Sequence, residues 1–326
     1  MKRQLLNLLC CPNCRGNLYL LEAHEASGEV ESGQLTCDGC AQTFPIIRFV
    51  PRFVPAENYA TSFGLQWNRF RRTQLDSSSG LPISRERFFR QTGWSLDDLA
   101  GRMVLDVGCG AGRFAEIALA CGANLVALDY SSAVDACWQN LGSHPNLNVV
   151  QGDIYHLPFK PAGFDFVYCF GVLQHTPDVK RAFMALPAQL REGGRMAVDV
   201  YPKLVGNLLW PKYWLRPLTK RLPPARLFDL VQWMVKLLLP LSVLLGHIPV
   251  IGHKLRYVIP VANYEGVYPL SKTQLSEWAV LDTFDMLASM YDQPQLARTL
   301  QAWLMEAGLA DIEVLRTGHL VGRGVR

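Results

Sequence analysis

The sequence predicts an α/β protein built on an open, Rossmann-like parallel sheet, with a small cysteine-rich unit in front and a helical insertion late in the chain. Three observations predict it. Short apolar runs alternate with helical stretches between residues 101 and 202, three of those runs end in an acid (Asp106, Asp129 and Asp153), and the first opens into the glycine-rich turn "MVLDVGCGAGRF". A single acid at a strand end is an ordinary solvated group or helix N-cap. Three in step along successive strands suit a ligand crevice at the carboxyl end of a parallel sheet.

Size and composition agree with that class. A chain of 326 residues has room for one large α/β domain and something small beside it. Apolar residues at 49% and charged residues at 18% describe a packed globular protein and exclude long disordered tracts. The opening "MKRQLLNLLCCPNC" has a basic start and an apolar run but no small-residue cleavage site, so it is not read as a targeting segment. Of nine cysteines, Cys10, Cys109, Cys121, Cys137 and Cys169 are scattered through mostly apolar segments, which favours a reducing, cytoplasmic setting. The overall charge of +4 does not by itself announce a nucleic-acid partner. Its distribution is uneven: residues 201–262 carry nine basic residues against the single acid Asp229, a local net charge of +8.

The first element is the cysteine unit, residues 1–55. "CPNC" (Cys11, Cys14) and "CDGC" (Cys37, Cys40) are two C-x-x-C knuckles with 22 residues between Cys14 and Cys37. Four thiolates in two close pairs suit a tetrahedral Zn²⁺ with a β-hairpin between the knuckles, and four protein ligands make the metal structural. Cys10 in place of Cys11, unligated cysteines and a redox pair are the alternatives. About 50 residues can scarcely build a core alone, so zinc would supply much of the folding energy. Residues 56–100 form a leader rich in aromatics and bases. Phe63, Trp67, Arg69 and Phe70 are read either as a lid over the site or as an amphipathic helix on the sheet edge.

The core, residues 101–202, begins with the strand Met103–Val107. Its turn has glycines at 108, 110 and 112 and so lacks the G-x-G-x-x-G spacing of a dinucleotide site. These glycines are expected to let the backbone turn and approach a ligand without Cβ interference. "NLVALDY" ends in Asp129, placed to accept ribose hydroxyls. "LNVVQGDI" ends in Asp153, placed to accept an adenine amine with Ile154 against the ring. A fourth strand, Phe164 to Phe170, opens into "GVLQHTPD", and "GGRMAVDVY" is the fifth.

This constellation, "VLDVGCGAGRF … ALDY … QGDIYHLPF … FDFVYCFGVLQHTPD … LREGGRMAVDVYP", resembles the class I S-adenosylmethionine-dependent methyltransferases. The resemblance implies their seven-stranded sheet and S-adenosyl-L-methionine as cofactor. It places Asp106, Gly108, Cys109, Gly110 and Gly112 at the methionine moiety, Asp129 and Tyr130 at the ribose, Asp153 and Ile154 at the adenine, and Phe170 and Gly171 beside the methyl group. The cysteine unit is similar to the small zinc-ribbon proteins that accompany and activate methyltransferases. That likeness implies docking, to a protein partner among others, rather than chemistry.

Residues 203–290 then read as an insertion after strand five, a substrate cap, and 291–326 as the helix and antiparallel pair that complete the core. The insertion places Leu227, Leu230, Val231, Met234, Leu237 and Leu238 on one helical face. No stretch in it reaches about 18 uninterrupted apolar residues, so no membrane span is expected. Its bases and tryptophans suggest instead peripheral contact of 203–262 with the inner face of a membrane, or closure over a lipid-like acceptor. The bland alternative is a helical cap with an ordinary core face.

The expected reaction is methyl transfer to a small-molecule or lipid-linked acceptor on oxygen. A general base is useful there, and His175 is the best-placed titratable group, although a loop hydrogen bond is its bland role. Tyr201 is a second catalytic candidate; Tyr264 and Glu265 are weaker. Asp282 and Asp285 are read as helix N-terminal or solvated acids. An RNA methyltransferase and a non-catalytic cofactor-binding scaffold are the rival functions.

Overall fold

Buried apolar residues alternate along the strands of residues 103–200 and dictate a sheet covered on both faces. On β5 (Met103–Val107), after the ribbon strands introduced below, Leu105 and Val107 join one buried cluster while Val104 joins the other. The computed structural model describes residues 1–55, 58–204 and 210–326, and for His253 and Tyr257 the backbone. Stretches 56–57 of the expected leader and 205–209 of the expected insertion lie outside the described residues.

The N-terminal unit is a four-stranded antiparallel sheet, β1 (Leu18–Ala26), β2 (Glu29–Cys37), β3 (Thr43–Ile47) and β4 (Val50–Pro51). The main sheet continues from β5 through β6 (Asn124–Asp129), β7 (Leu147–Gln151), β8 (Phe164–Cys169), β9 (Leu190–Val200), β10 (Ala310–Thr317) and β11 (His319–Val325). Its order is β10-β11-β9-β8-β5-β6-β7, parallel except for β11, which runs against both β9 and β10. This is the seven-stranded class I methyltransferase sheet. The order reverses at β5, so the crevice beyond the carboxyl ends of β5 and β8 is the topological switch point.

The ribbon docks on the open edge at β7. Phe53 N–H donates to Gln151 O (2.8 Å), Cys10 N–H to Pro158 O (3.0 Å) and Lys160 N–H to Leu8 O (2.8 Å). The Arg15 guanidinium donates to Leu157 O and Phe159 O, while Arg52 donates to Gln151 Oε1 (2.8 Å) and pairs with Asp135 (2.7 Å). Leu5, Leu9, Val30, Leu35 and Ile46 are buried in the same cluster as Val126, Leu128 and Val150 of the main sheet. Ribbon and core therefore share one apolar interior.

Beyond β9 the chain makes its excursion and returns to the same point. Gln295 N–H donates to Tyr201 O (2.8 Å) and Lys203 N–H to Gln295 O (2.7 Å), clamping the two stems together. Between them lie the helices Pro211–Thr219, Pro224–Gly246 and Lys272–Ala288, the last opened by a capping box of Ser271 and Gln274. Lys212 and Arg216 are buried on Asp292 at 3.0 and 2.9 Å, so two of the nine bases counted in the sequence are structural.

One expectation about the helix Pro224–Gly246 is corrected. Its buried face is Leu227, Phe228, Val231 and Val235, packed with Phe284, whereas Leu230 and Leu237 are exposed. Its 23 residues are also long and apolar enough to cross a membrane by length and composition, with a mean hydropathy of 1.6 over the best window. Lys236 and Pro240 interrupt the apolar run, but they do not end the helix.

Candidate active site

A cavity of about 750 Å³ lies between the carboxyl ends of the strands and the cap. Small-molecule sites usually fall between about 300 and 1,000 Å³. On the sheet side Gly108, Cys109, Gly110, Asp129, Tyr130 and Ile154 line it, followed by Phe170 and Gly171 after β8. His175 and Tyr201 face it as well. Asp106, Gly112 and Asp153 are not brought to its wall.

The glycines are required here by backbone and packing. Gly108 and Gly110 adopt φ of +86° and +54°, a region that disfavours side chains. A Cβ on Gly108 would sit 2.1 Å from Val172 Cγ2, and one on Gly110 would sit 3.1 Å from Trp67 Cε2. The space each missing Cβ leaves is taken by Val172 and by the leader's indole, while both glycine backbones still line the cavity. Gly112 packs in the same way on Leu141, at 2.7 Å.

Asp129 is the acid best placed for a ligand. Its Oδ1 accepts from Ser131 N–H (2.8 Å) and Ser131 Oγ (2.7 Å), and its Oδ2 accepts from Gly110 N–H (2.9 Å). These donors hold the carboxylate in place where it lines the cavity. Burial pushes its carboxyl up, against the opposing pull of those donors.

The other two acids behave differently. Asp106 lies opposite Tyr168 in the β5–β8 register, and its Oδ2 is buried without a hydrogen-bond partner among the described residues. Burial raises it to about 8; the nearby Tyr168 hydroxyl holds it down only in part and stands outside hydrogen-bond geometry. Asp153 is a cap: its Oδ1 accepts from Tyr155 N–H (2.9 Å), and its Oδ2 lies 3.4 Å from His156 Nδ1. Asp153 thus caps its own turn, as Asp129 does, and its neighbours Gly152 and Ile154 rather than Asp153 itself line the cavity.

His175 is buried between Phe63 (ring centroids 5.3 Å apart) and Tyr201 (5.4 Å, perpendicular). Its Nδ1 lies 2.9 Å from Tyr291 O. A carbonyl only accepts, so Nδ1 carries a proton and Nε2 is the free basic nitrogen of the neutral ring. At Tyr201, burial and then the surrounding acids Asp285, Asp292, Asp282 and Asp199 push the hydroxyl well above the ordinary range. It remains a donor. Of the lid candidates, Phe63 and Trp67 line the cavity, whereas Arg69 and Phe70 pack on Phe228 of the cap.

Several cavity groups are not legible in the sequence. Asp282 and Asp285, read there as N-terminal or solvated, sit inside the helix Lys272–Ala288 and face the cavity. Burial, eased by the Tyr264 hydroxyl that donates to its Oδ2, raises Asp282 to about 7. Gln74 joins Asp282 to Arg113, whose Nη1 donates to Gln74 Oε1 at 2.8 Å. Asp199 on β9 accepts from Arg87 (2.7 Å), Gln91 (2.9 Å) and Gly171 N–H (2.5 Å), and so fixes the turn after β8. His319, beside Asp199, is lowered to about 4 by burial. Each comes from a segment remote in sequence, and only the hydrophobic context of "VDVY" hints at one of them.

In the ribbon, the Sγ atoms of Cys11, Cys14, Cys37 and Cys40 all lie within 4.8 Å of one another. Cys11–Cys40 and Cys14–Cys37 are 3.7 and 3.3 Å apart. Tetrahedral Zn–S bonds of about 2.3 Å imply sulfur–sulfur edges of about 3.8 Å, so the donor set fits zinc. Gly39 N–H donates to Cys37 Sγ (3.3 Å), the kind of support a thiolate ligand receives. Cys10 is buried outside the group.

Comparison with known proteins agrees with this architecture. Residues 105–198 match the family model of the methyltransferase domain, and residues 2–48 match that of Trm112p-like proteins. The chain is 35% identical over 128 residues to the demethylmenaquinone methyltransferase of Thermobifida fusca, covering 38% of this chain and 54% of that protein. It is 32% identical over 127 residues to the O-methyltransferase resE of Aspergillus sclerotiorum, covering 37% and 48%. It is likewise 32% identical over 100 residues to the ubiquinone biosynthesis O-methyltransferase of Coxiella burnetii, covering 30% and 43%. The chain thus spans about half the length of these curated relatives.

Proposed function

We propose that this chain, in which a Trm112p-like domain is joined to a class I methyltransferase domain, transfers a methyl group from S-adenosylmethionine to an oxygen of a small, lipid-like acceptor. The observation that carries the reading is one cavity with two unlike walls: strand ends with Asp129, Ile154 and Gly171 on one side, and on the other the cap, whose Leu204, Ile259 and Val261 lie beside the buried acids Asp282 and Asp285. Asp129 offers its carboxylate to a ribose hydroxyl, and Ile154 offers an apolar face to the base. The unpartnered Oδ2 of Asp106, buried behind the glycine turn, suits a nearby cation, which would restore its charge. Bound there, the cofactor would supply a methyl group on a sulfonium, already electrophilic toward in-line attack.

The chain's own residues would then align the acceptor and exclude water. His175 Nε2 is the base that takes the acceptor's proton, with Tyr291 O fixing the tautomer. Tyr201 donates a hydrogen bond and stays protonated. The relatives named above include methyltransferases of quinone biosynthesis, which supports an amphiphilic acceptor. Zinc in the four thiolates of the ribbon would be structural.

Radiolabelled methyl transfer into a fractionated cell extract tests the reading. Label is expected in the solvent-extractable lipid fraction, reduced by about 10²-fold or more in His175→Ala. Label in RNA would overturn the acceptor class, and cofactor binding with no label in any pool would favour a scaffold. Asp129→Ala is expected to weaken S-adenosylhomocysteine binding by about 10- to 100-fold in calorimetry. Unchanged affinity would remove the ribose assignment.

A further inference from the structure

The cap exposes an apolar surface that its own packing does not use. Of 21 large apolar side chains exposed among the described residues, 14 lie between Leu204 and Val258. On the helix Pro224–Gly246, Leu230, Trp233, Leu237, Leu241 and Leu244 are all exposed. At about 100° per residue they fall within an arc of about 80°, turned well away from the stripe of Leu227, Val231 and Val235 that faces Phe284. The pattern continues on either side: Leu218 on Pro211–Thr219 is 68% exposed, and Val250, just past the long helix, is 88% exposed. Exposed patches of this extent mark an interaction site.

Charge selects the occupant. Lys203, Lys220, Arg221, Arg226, Lys236 and Lys254 are exposed in the same segment, and none forms an ion pair with an acid among the described residues. Arg226 falls within the apolar arc, at the N-terminal end of the helix. Leucine and tryptophan flanked by unpaired bases complement an anionic lipid surface, where each base near the surface adds attraction. The helix does not cross the bilayer, because one side is packed on protein and the chain returns to the cavity wall at Ile259–Ala262. Leu204, Trp210 and Val267 both line the cavity and are exposed, so they stand at its mouth.

We infer that the cap seats the protein on an anionic bilayer, with the helix Pro224–Gly246 lying in the interfacial plane and its Leu230–Leu244 stripe against the acyl chains. The cavity mouth then receives its acceptor from the lipid phase. This second part rests on the methyl-transfer reading; the seat itself does not.

Flotation of the full chain tests the seat, using vesicles of phosphatidylcholine mixed with phosphatidylglycerol and vesicles of phosphatidylcholine alone. The chain floats with the mixed vesicles, and binding falls by at least about tenfold on phosphatidylcholine alone and again as salt is raised. The double variant Trp233→Glu, Leu237→Glu loses at least about tenfold in binding to mixed vesicles. The triple variant Lys220→Glu, Arg221→Glu, Lys236→Glu loses as much with the stripe intact. Both keep the wild-type affinity for S-adenosylhomocysteine, which shows that they are folded. A wild-type chain that stays in the dense fraction overturns the seat, as does binding that neither variant reduces. So does sedimentation showing that the stripe closes a dimer, or retention of RNA in place of lipid. A chain that floats yet binds no S-adenosylhomocysteine keeps the seat and refutes the methyl-transfer reading, so the two failures are distinct.

Discussion

The ribbon and the cap are both additions to one sheet, and they treat apolar surface in opposite ways. The ribbon turns Leu5, Leu9, Leu35 and Ile46 into the interior of the core and fixes them with backbone bonds to residues 151–160. The cap packs only one stripe of its longest helix on the protein and leaves the other open. The lesson is that helical periodicity records how many sides of an element are apolar, not what covers each of them. The ribbon belongs to the folding unit, whereas one side of the cap's longest helix stays exposed.

Breaking the ribbon should have the largest effect. The Cys37→Ser, Cys40→Ser variant removes two of four ligands; apparent zinc affinities of about 10–16 kcal/mol in such units match or exceed a whole domain's stability of about 5–15 kcal/mol. Zinc by elemental analysis should fall from one per chain to none, and the main calorimetric transition should fall with it. A ribbon that melts while the core transition stays put would mean that the shared interior does not couple them.

On the cap, the two sides of one helix offer an internal control. Val231→Glu puts an unpaired carboxylate among Phe228 and Phe284 and should cost about 3 kcal/mol or more in urea unfolding. At the ribbon seam, Arg52→Ala removes bonds to Gln151 and Asp135 and should cost about 1–3 kcal/mol. Between the two additions, His319 supplies a pH signature. Its folded pKa of about 4 lies below the ordinary 6.5, so its contribution is intact above about 6.5 and is lost as pH falls toward 4. Discounted for its opening onto the cavity, that loss is about 1–3 kcal/mol, and His319→Gln should flatten it in a pH series of melts. Smallest of all, Trp233→Glu should move stability by no more than about 0.5 kcal/mol in the absence of lipid. A large loss there would show that the exposed stripe is covered after all.

What was legible in the sequence is what local pattern determines. Strand ends at Asp106 and Asp129 and the knuckles follow from periodicity, glycine and cysteine spacing, whereas the late return of the chain for β10 and β11 is what the family resemblance implies. What escaped depends on where side chains turn once the backbone is set. The three strand-end acids look alike in sequence, yet only Asp129 reaches the cavity wall, while Asp106 is buried behind it and Asp153 lies beside its turn. The glycine spacing does not show that Val172 and Trp67 pack where their Cβ atoms would lie. Asp282, Arg113 and His319 line the cavity from separate stretches, and no window of sequence contains them together. On the long helix the apolar residues were found, but assigning Leu230 and Leu237 to the buried face required knowing where Phe284 would lie.

Because β7 is the last strand of the main sheet, its outer backbone would otherwise be a free edge, the usual nucleus for intermolecular strand pairing. The ribbon's contacts at Gln151 and beyond shield that edge. Metal starvation should therefore appear as precipitation before it appears as lost catalysis: chelation is expected to raise light scattering at concentrations where the loaded chain stays clear.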